Sequence, residues 1–449
     1  MLVLISDLHI TDLSTAFNVN PEAFAILKDN ILQTAANHQA KELHIVLLGD
    51  ILDLVRTDYW LRSNIPMQDR PWGGTLDPKT ALNVNLDAVG RQFQQILTDI
   101  LATPTAQGLA DMLSALSKEA LPAKATYIVG NHERMLWNLP ALRQQIQSAL
   151  PQIGTFARVL ESPEYATLAR HGHEWDVNCH GWEFRTKVLA PGEPLDRFAP
   201  EVYEVMTIGE AVTAELMGGL IYHARQQGVS EPLLTQLKDV NNLRPTLDVF
   251  AWLQWLGSDR TIQQRQLLYN ALKASLEGLL SSALAARWDD LKPDLLVSGD
   301  LVDRLQQVER LLLGSDFDSF EGRVEVLRRL QQLFPFLATE QDQLYAGAKR
   351  EAVFQQAGIG RGIQRVLYGH THRARHDYLV SFPDGSTQMY INTGTFLPLI
   401  SKAADGRSFA SALQMTMVYA YREDEDTAHK RPKTLSLDIW NGTRNKLYA

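Results

Sequence analysis

LHIVLLGDILD, residues 43–53, decides how the rest of this chain is read. From Leu43 to Leu48 the run is uncharged and almost wholly aliphatic, and it stops at Gly49. A run of that kind suits a β-strand buried on both faces. Asp50 then stands just past the strand's carboxyl end, the edge of an open α/β sheet where ligands usually bind. Every His, Asp and Asn singled out below is expected to converge on this carboxylate.

The same arrangement recurs along the chain. Residues 1–5 form a short aliphatic strand that runs into Ser6, Asp7, Leu8 and His9. In extended backbone, residues two apart project to the same side, so Asp7 and His9 suit either joint ion binding or a turn capped by Asp7 with an incidental His9. Asn20 and Pro21 read as the cap and first position of a helix with Phe24, Leu27, Ile31 and Leu32 on one face. Residues 1–53 thus have the look of a βαβ unit. The stretch 59–79, rich in Pro, Gly and Trp, reads as a long loop with no assigned role. Helical spacing of apolar residues follows over 86–100, and 109–116 reads as a core stripe.

Further strand candidates, 125–129, 168–169 and 363–368, run into Gly130-Asn131-His132-Glu133, into Arg170 and His171-Gly172-His173, and into Gly369-His370-Thr371-His372. A hairpin is expected around Pro383, Asp384 and Gly385. Strands 389–392, 413–421 and 435–440 complete the pattern, with the charged segment 422–433 as a solvated loop.

The 449 residues suffice for one large domain or two ordinary ones. Charged residues make up 21% and apolar residues 45%, the balance of a globular rather than a disordered chain. One cysteine, Cys179, cannot form an internal disulfide and fits a reducing compartment. The net charge of -9 argues against non-specific grip on nucleic acid or anionic membrane, which is driven by Lys and Arg. Bound divalent cations would still permit a phosphate-bearing substrate. No apolar run approaches the roughly 20 residues that span a bilayer, and the opening MLVLISDLH lacks the marks of a signal peptide. A cytoplasmic location is expected.

Beyond residue 181 the chain becomes rich in Leu, Ala, Gln, Arg and Glu at helical spacing, over 202–224, 263–288, 320–334 and 342–356. The expected organisation is a core of residues 1–180 and 359–449 interrupted by a helical insertion or cap, 181–358. Inside that insertion Gly299, Asp300 and Asp303 repeat the spacing of Gly49, Asp50 and Asp53. No His or Asn signal lies near them until residue 370, so they are read as a structural echo.

Singly, none of these motifs is decisive; in order they are specific. Asp-x-His at 7 and 9, Gly-Asp-x-x-Asp at 49–53, Gly-Asn-His-Glu at 130–133, His-Gly-His at 171–173 and Gly-His-Thr-His at 369–372 resemble the five signature motifs of the calcineurin-like metallophosphoesterases. The resemblance covers both core segments and not the insertion. It implies an α/β fold, a two-sheet αββα sandwich with a dinuclear metal centre at the strand ends. It puts Asp7, His9, Asp50 and His372 on one metal and Asp50, Asn131, His171 and His370 on the other. Asp50 bridges, and His132 serves as an acid or a phosphate clamp. Glu133 stands where many members have Asp. Imidazole, carboxylate and amide ligands without thiolate suit Mn²⁺, with Fe or Zn²⁺ as alternatives.

The expected activity is hydrolysis of a phosphate mono- or diester or a pyrophosphate by a metal-bridging hydroxide, with His132 assisting the leaving group. The alternative is a metallophosphoesterase-like binding scaffold without turnover. Asp53 and Asp176 are candidates to orient metal-bound imidazoles or to cap turns, and His173 is a further candidate ligand. Arg134, Arg373 and Arg375 flank the motifs, either as phosphate-binding groups or as solvated surface residues. The partner is a phosphorylated substrate of open type, with nucleic acid not favoured.

Overall fold

Every residue of β1 (Leu2–Ile5) and β2 (Leu43–Leu48) is buried, and the alternation of side chains along a strand explains how. Val3, Ile5, Leu43, Ile45 and Leu47 enter one apolar core with the surrounding helices. Leu2, Leu4, Val46 and Leu48 enter a second core, shared with Tyr165, Ala169, Leu367 and Ile391. Each large aliphatic side chain so buried contributes about 1.5–3 kcal/mol. The computed structural model describes residues 1–292, 299–310, 340–355, 362–383, 387–429 and 435–445.

One sheet places β1, β2, β3 (Ala123–Ile128) and β4 (Ile153–Ala157) side by side and parallel, with the helix Glu22–Asn37 crossing from β1 to β2. On the other side of β1 the sheet continues antiparallel through β11 (Phe409–Ala420), which also pairs with β10 (Pro398–Lys402) and β12 (Leu437–Asn445). The second sheet runs β5 (Val159–Ser162), β6 (Thr167–Arg170), β7 (Arg365–Tyr368), β9 (Thr387–Asn392) and β8 (Arg375–Ser381). Leu344 and Ala348 of the helix Glu340–Ala348 cover its outer face by packing on Leu168, Val366, Tyr368 and Tyr390. Two facing sheets between helical layers make an α/β sandwich.

The strands expected at the apolar runs are present with shifted ends, whereas β4, β5 and β10 were not anticipated. These three are short, and most of their residues are only partly buried or exposed, so they carry little apolar alternation. The hairpin of β8 and β9 is antiparallel, and the tip residues Asp384 and Gly385 lie outside the described residues. So do the expected helix 320–334 and the strand-like residues 295–298. Asp300 caps the helix Leu301–Val308, accepting from Val302 N at 2.8 Å, while Asp303 accepts from Asp300 N at 2.7 Å. The repeated spacing is thus a helix-capping box. Segment 422–433 needs a correction, because Glu425 and Asp426 are buried. Glu425 accepts from the Met1 amine at 2.7 Å, and Asp426 Oδ1 lies 2.7 Å from His38 Nδ1.

The helical stretch after residue 181 is packed into the molecule. Phe184, Met206, Leu216, Leu272 and Trp288 belong to the same apolar core as Val3 and Leu47. The 59–79 loop closes against it, with Trp72 fully buried and its indole donating to Glu215 at 2.8 Å. Among the described residues no helix is long and apolar enough to cross a membrane.

His44 is the polar exception in β2, its Nε2 lying 2.8 Å from Thr126 Oγ1. Burial, reinforced by Lys124, lowers its pKa from 6.5 to about 4. As pH falls the unfolded chain takes up this proton first, so the stabilisation is complete above the unfolded value and is lost toward the folded one. From pH 7 to pH 5 the wild type should lose on the order of 1–2 kcal/mol more of its unfolding free energy in urea than His44→Gln does. Equal losses would show that His44 does not contribute in this way.

Candidate metal centre

Five strands end at one place: β1 before Asp7 and His9, β2 before Asp50, β3 before Asn131 and His132, β6 before His171, and β7 before His370 and His372. The chain then turns sharply. Asp7, His9, Asp50, His370 and His372 all have positive φ, at 53, 43, 52, 71 and 60°. L residues avoid this region at a cost of about 1 kcal/mol or more each, and such outliers cluster at functional sites. The turns are tied together by Asp7 N donating to Gly49 O at 3.0 Å, His9 N to Asp50 O at 2.9 Å, and His370 N to Asp7 Oδ2 at 3.1 Å. A Cβ on Gly49 would overlap the His171 ring, and one on Gly130 would overlap the Asp50 carboxylate. Only glycine permits these approaches.

The partners behind the histidines determine where their protons reside. Asp53 Oδ2 lies 2.8 Å from Nδ1 of both His9 and His132, and Leu48 O lies 2.9 Å from His171 Nδ1. Each of these oxygens can only accept, so the Nδ1 protons of His9 and His171 point away from the centre and their Nε2 atoms point into it. His370 is turned the other way, with Nε2 3.1 Å from Asp176 Oδ2, which leaves its Nδ1 as the free nitrogen. Burial opposes charge on Asp53, but His132, His9 and Arg56 hold its carboxyl far below the usual range. Asp53 and Asp176 therefore face imidazoles through Oδ2 and cap turns through Oδ1, which accepts from Val55 N and Arg56 N in the one and from Asn178 N in the other, so both roles expected of them are present.

Groups of donors able to hold a metal ion include Asp7 with His9 and His372, Asp50 with His171 and His370, and His9 with Asp50 and His132, which shares donors with the other two. His9 Nε2 is 2.9 Å from His372 Nε2, His372 Nε2 is 3.5 Å from Asp7 Oδ1, and His171 Nε2 is 3.2 Å from Asp50 Oδ2. Donors on a shared ion at about 2.0–2.2 Å sit about 3.0–3.5 Å apart, so these spacings suit coordination. Asn131 Oδ1 is buried and has no hydrogen-bond partner among the described residues. Burial opposes charge on Asp50, yet His171 and His132 hold its carboxyl well below the usual range. In return Asp50 outweighs burial at His171 and raises that imidazole to about 10. A proton thus takes the place for which a cation would compete. Burial, with Arg56 at one ring and Arg244 at the other, lowers His9 and His372.

Several neighbours take other roles. Glu133 is a fully buried clamp: its carboxylate accepts from the backbone N–H groups of Asp50, Ile51, Leu52 and Gly130 and from Tyr127 Oη. Burial and the charge of Asp50 raise its pKa, and the donors from Tyr127 and the Ile51 backbone oppose that rise. His173 packs against His171, His180 and Tyr203, and burial holds it well below its usual value. Arg134 corrects the expectation of substrate binding. Its guanidinium is buried on Glu210 at 2.6 and 3.0 Å and also donates to Asn138 and to Glu204 O, which leaves nothing for a ligand. Arg375 pairs with Asp377 and stacks on Tyr345. Arg373 donates to the carbonyl of Arg244 at 3.2 Å.

Two arginines were missed. Arg56 is 1% exposed, with Nε 3.0 Å from Asp53 and Nη2 3.4 Å from His9 Nε2. Its spacing of three from Asp53 was legible, since Asp53 Oδ1 accepts from Arg56 N at 2.8 Å in a tight turn. Arg244 comes from the helical stretch and has no local motif. No model of a known protein family matches the chain, and no curated protein matches it.

Replacing Arg134 by Ala strands Glu210 and should cost about 3–5 kcal/mol in denaturant unfolding. A substrate role would instead appear as a raised KM at unchanged stability. Metal binding should raise the melting temperature, by about 3 °C at a hundredfold excess over Kd, and Asp50→Asn should abolish the shift. A shift of the same size in that variant would place the binding elsewhere.

Proposed function

We propose that the chain is a dinuclear metal-dependent phosphoesterase of the calcineurin-like type, hydrolysing a phosphate ester or anhydride. The observation that carries this reading is the directed set of ring nitrogens. Asp53, Leu48 O and Asp176 each hold the outward face of an imidazole, and the opposite faces meet around Asp7 and Asp50. Asp7, His9, Asp50 and His372 would hold one ion, and Asp50, Asn131, His171 and His370 the other. Divalent ions there supply an activated water and charge stabilisation at phosphorus.

The protein's own groups do the rest. Asp50 has two carboxylate oxygens, and His132 N donates to Oδ1 at 3.0 Å, which fixes its plane. His132 has a side-chain exposure of 12%, whereas the side chains of His9, His171 and His372 are at most 1% exposed. Its Nε2 is 3.8 Å from Asp50 Oδ2, while Asp53 steadies Nδ1. A proton on this outward-facing ring can pass to the departing oxygen. Glu133 holds the backbone of residues 50–52 in place through the transfer.

Elemental analysis should find two metal equivalents per chain, and the loaded protein should hydrolyse p-nitrophenyl phosphate, its diester, or both. His132→Ala should lower kcat by roughly 10²–10⁴-fold at unchanged metal content. Parallel loss of metal and turnover would reassign His132 to the ligand set. A fully loaded protein inert toward both esters and a panel of phosphorylated metabolites would overturn the reading.

A further inference from the structure

The helical stretch sends one guanidinium to the strand ends. Arg244 is pinned there from the core: its N donates to Ile400 O of β10 at 2.9 Å, Leu243 forms a parallel bridge to Ile400, and Arg373 donates to its carbonyl at 3.2 Å. Nη1 donates to Asn241 O at 3.0 Å and Leu243 O at 2.8 Å, while Nη2 lies 3.0 Å from both ring nitrogens of His372. Among the described residues it forms no ion pair.

Across the same pair of imidazoles stands Arg56. Its Nη2 is 3.4 Å from His9 Nε2, which is 2.9 Å from His372 Nε2. Arg56 Nη1 is buried and has no hydrogen-bond partner among the described residues. Two guanidiniums therefore flank the Asp7, His9 and His372 group, one with an unused donor and the other lying against an imidazole. With the His372 lone pair committed to a metal ion, Nη2 of Arg244 needs another acceptor. An anionic oxygen suits a planar guanidinium best.

We infer that Arg244 is a specificity-determining, substrate-binding residue: together with Arg56 it receives a non-bridging oxygen of a terminal phosphoryl group, favouring phosphate monoesters over diesters. A monoester dianion offers three such oxygens and more charge, and a diester offers two. This rests on the phosphoesterase reading and narrows its substrate class.

The test uses the metal-loaded full chain and inorganic phosphate as the probe, measured by titration calorimetry. Arg244→Ala should weaken phosphate binding about 10-fold or more, with Arg244→Lys recovering part of it, at unchanged metal content and melting temperature. kcat/KM should fall at least 10-fold further for p-nitrophenyl phosphate than for bis(p-nitrophenyl) phosphate. Unaltered phosphate affinity in both variants, or equal losses on both esters, would overturn the inference while wild-type turnover keeps the phosphoesterase reading. A lowered melting temperature with unaltered phosphate affinity would make Arg244 a structural tie and overturn it equally. Failure of the metal-loaded wild type on both esters and on the panel of phosphorylated metabolites would remove the phosphoesterase reading, and the monoester preference with it.

Discussion

A carboxylate sealed from water must be compensated or it would not remain charged, and Asp50, 1% exposed, is that group here. An uncompensated buried charge costs several kcal/mol. His171, His132 and His9 surround it, each delivered by a different strand end, and His171 is the chief group that keeps it ionised. The backbone at Asp50 is held by a second buried carboxylate, Glu133. The left-handed turns at five site residues follow from this demand, because a strand end continuing in extended form would carry the side chains apart.

The contrast between Asp50 and Asp300 shows what a spacing can and cannot say. Both stand in Gly-Asp-x-x-Asp. Asp300 spends its carboxylate on the first amides of its own helix, and Asp303 returns the bond. Asp53 accepts in a local turn as well, through Oδ1, but its Oδ2 is left for two imidazoles from distant segments. One oxygen ordering the turn and the other ordering the site is an arrangement only the fold can supply.

The helical stretch is bound to the strand ends by charge as well as by apolar packing. Glu210 takes the guanidinium of Arg134 one residue beyond Glu133, Glu215 takes Arg70 and Trp72, and Arg244 reaches His372. The two carboxylate contacts join residues far apart in sequence inside a poorly solvated region, where a broken partner is costly, whereas Arg244 meets an uncharged imidazole. The stretch therefore forms one wall of the candidate centre.

Much of this was legible in the chain itself. The aliphatic run of β1, that of β2 apart from His44, and the shorter apolar ends of β3 and β7, each closing on metal-type residues, declare both the strands and the edge where the site lies, because burial on both faces leaves little room for polar side chains. Asp7, His9, Asp50, Asn131, His171, His370 and His372 were named from motifs alone. The half-exposed strands β4, β5 and β10 carry too little apolar pattern to announce themselves. The roles of Arg134, Arg56 and Arg244 were decided by tertiary structure, since the reach of a guanidinium depends on which distant carboxylate or imidazole packing places beside it. No local spacing records that.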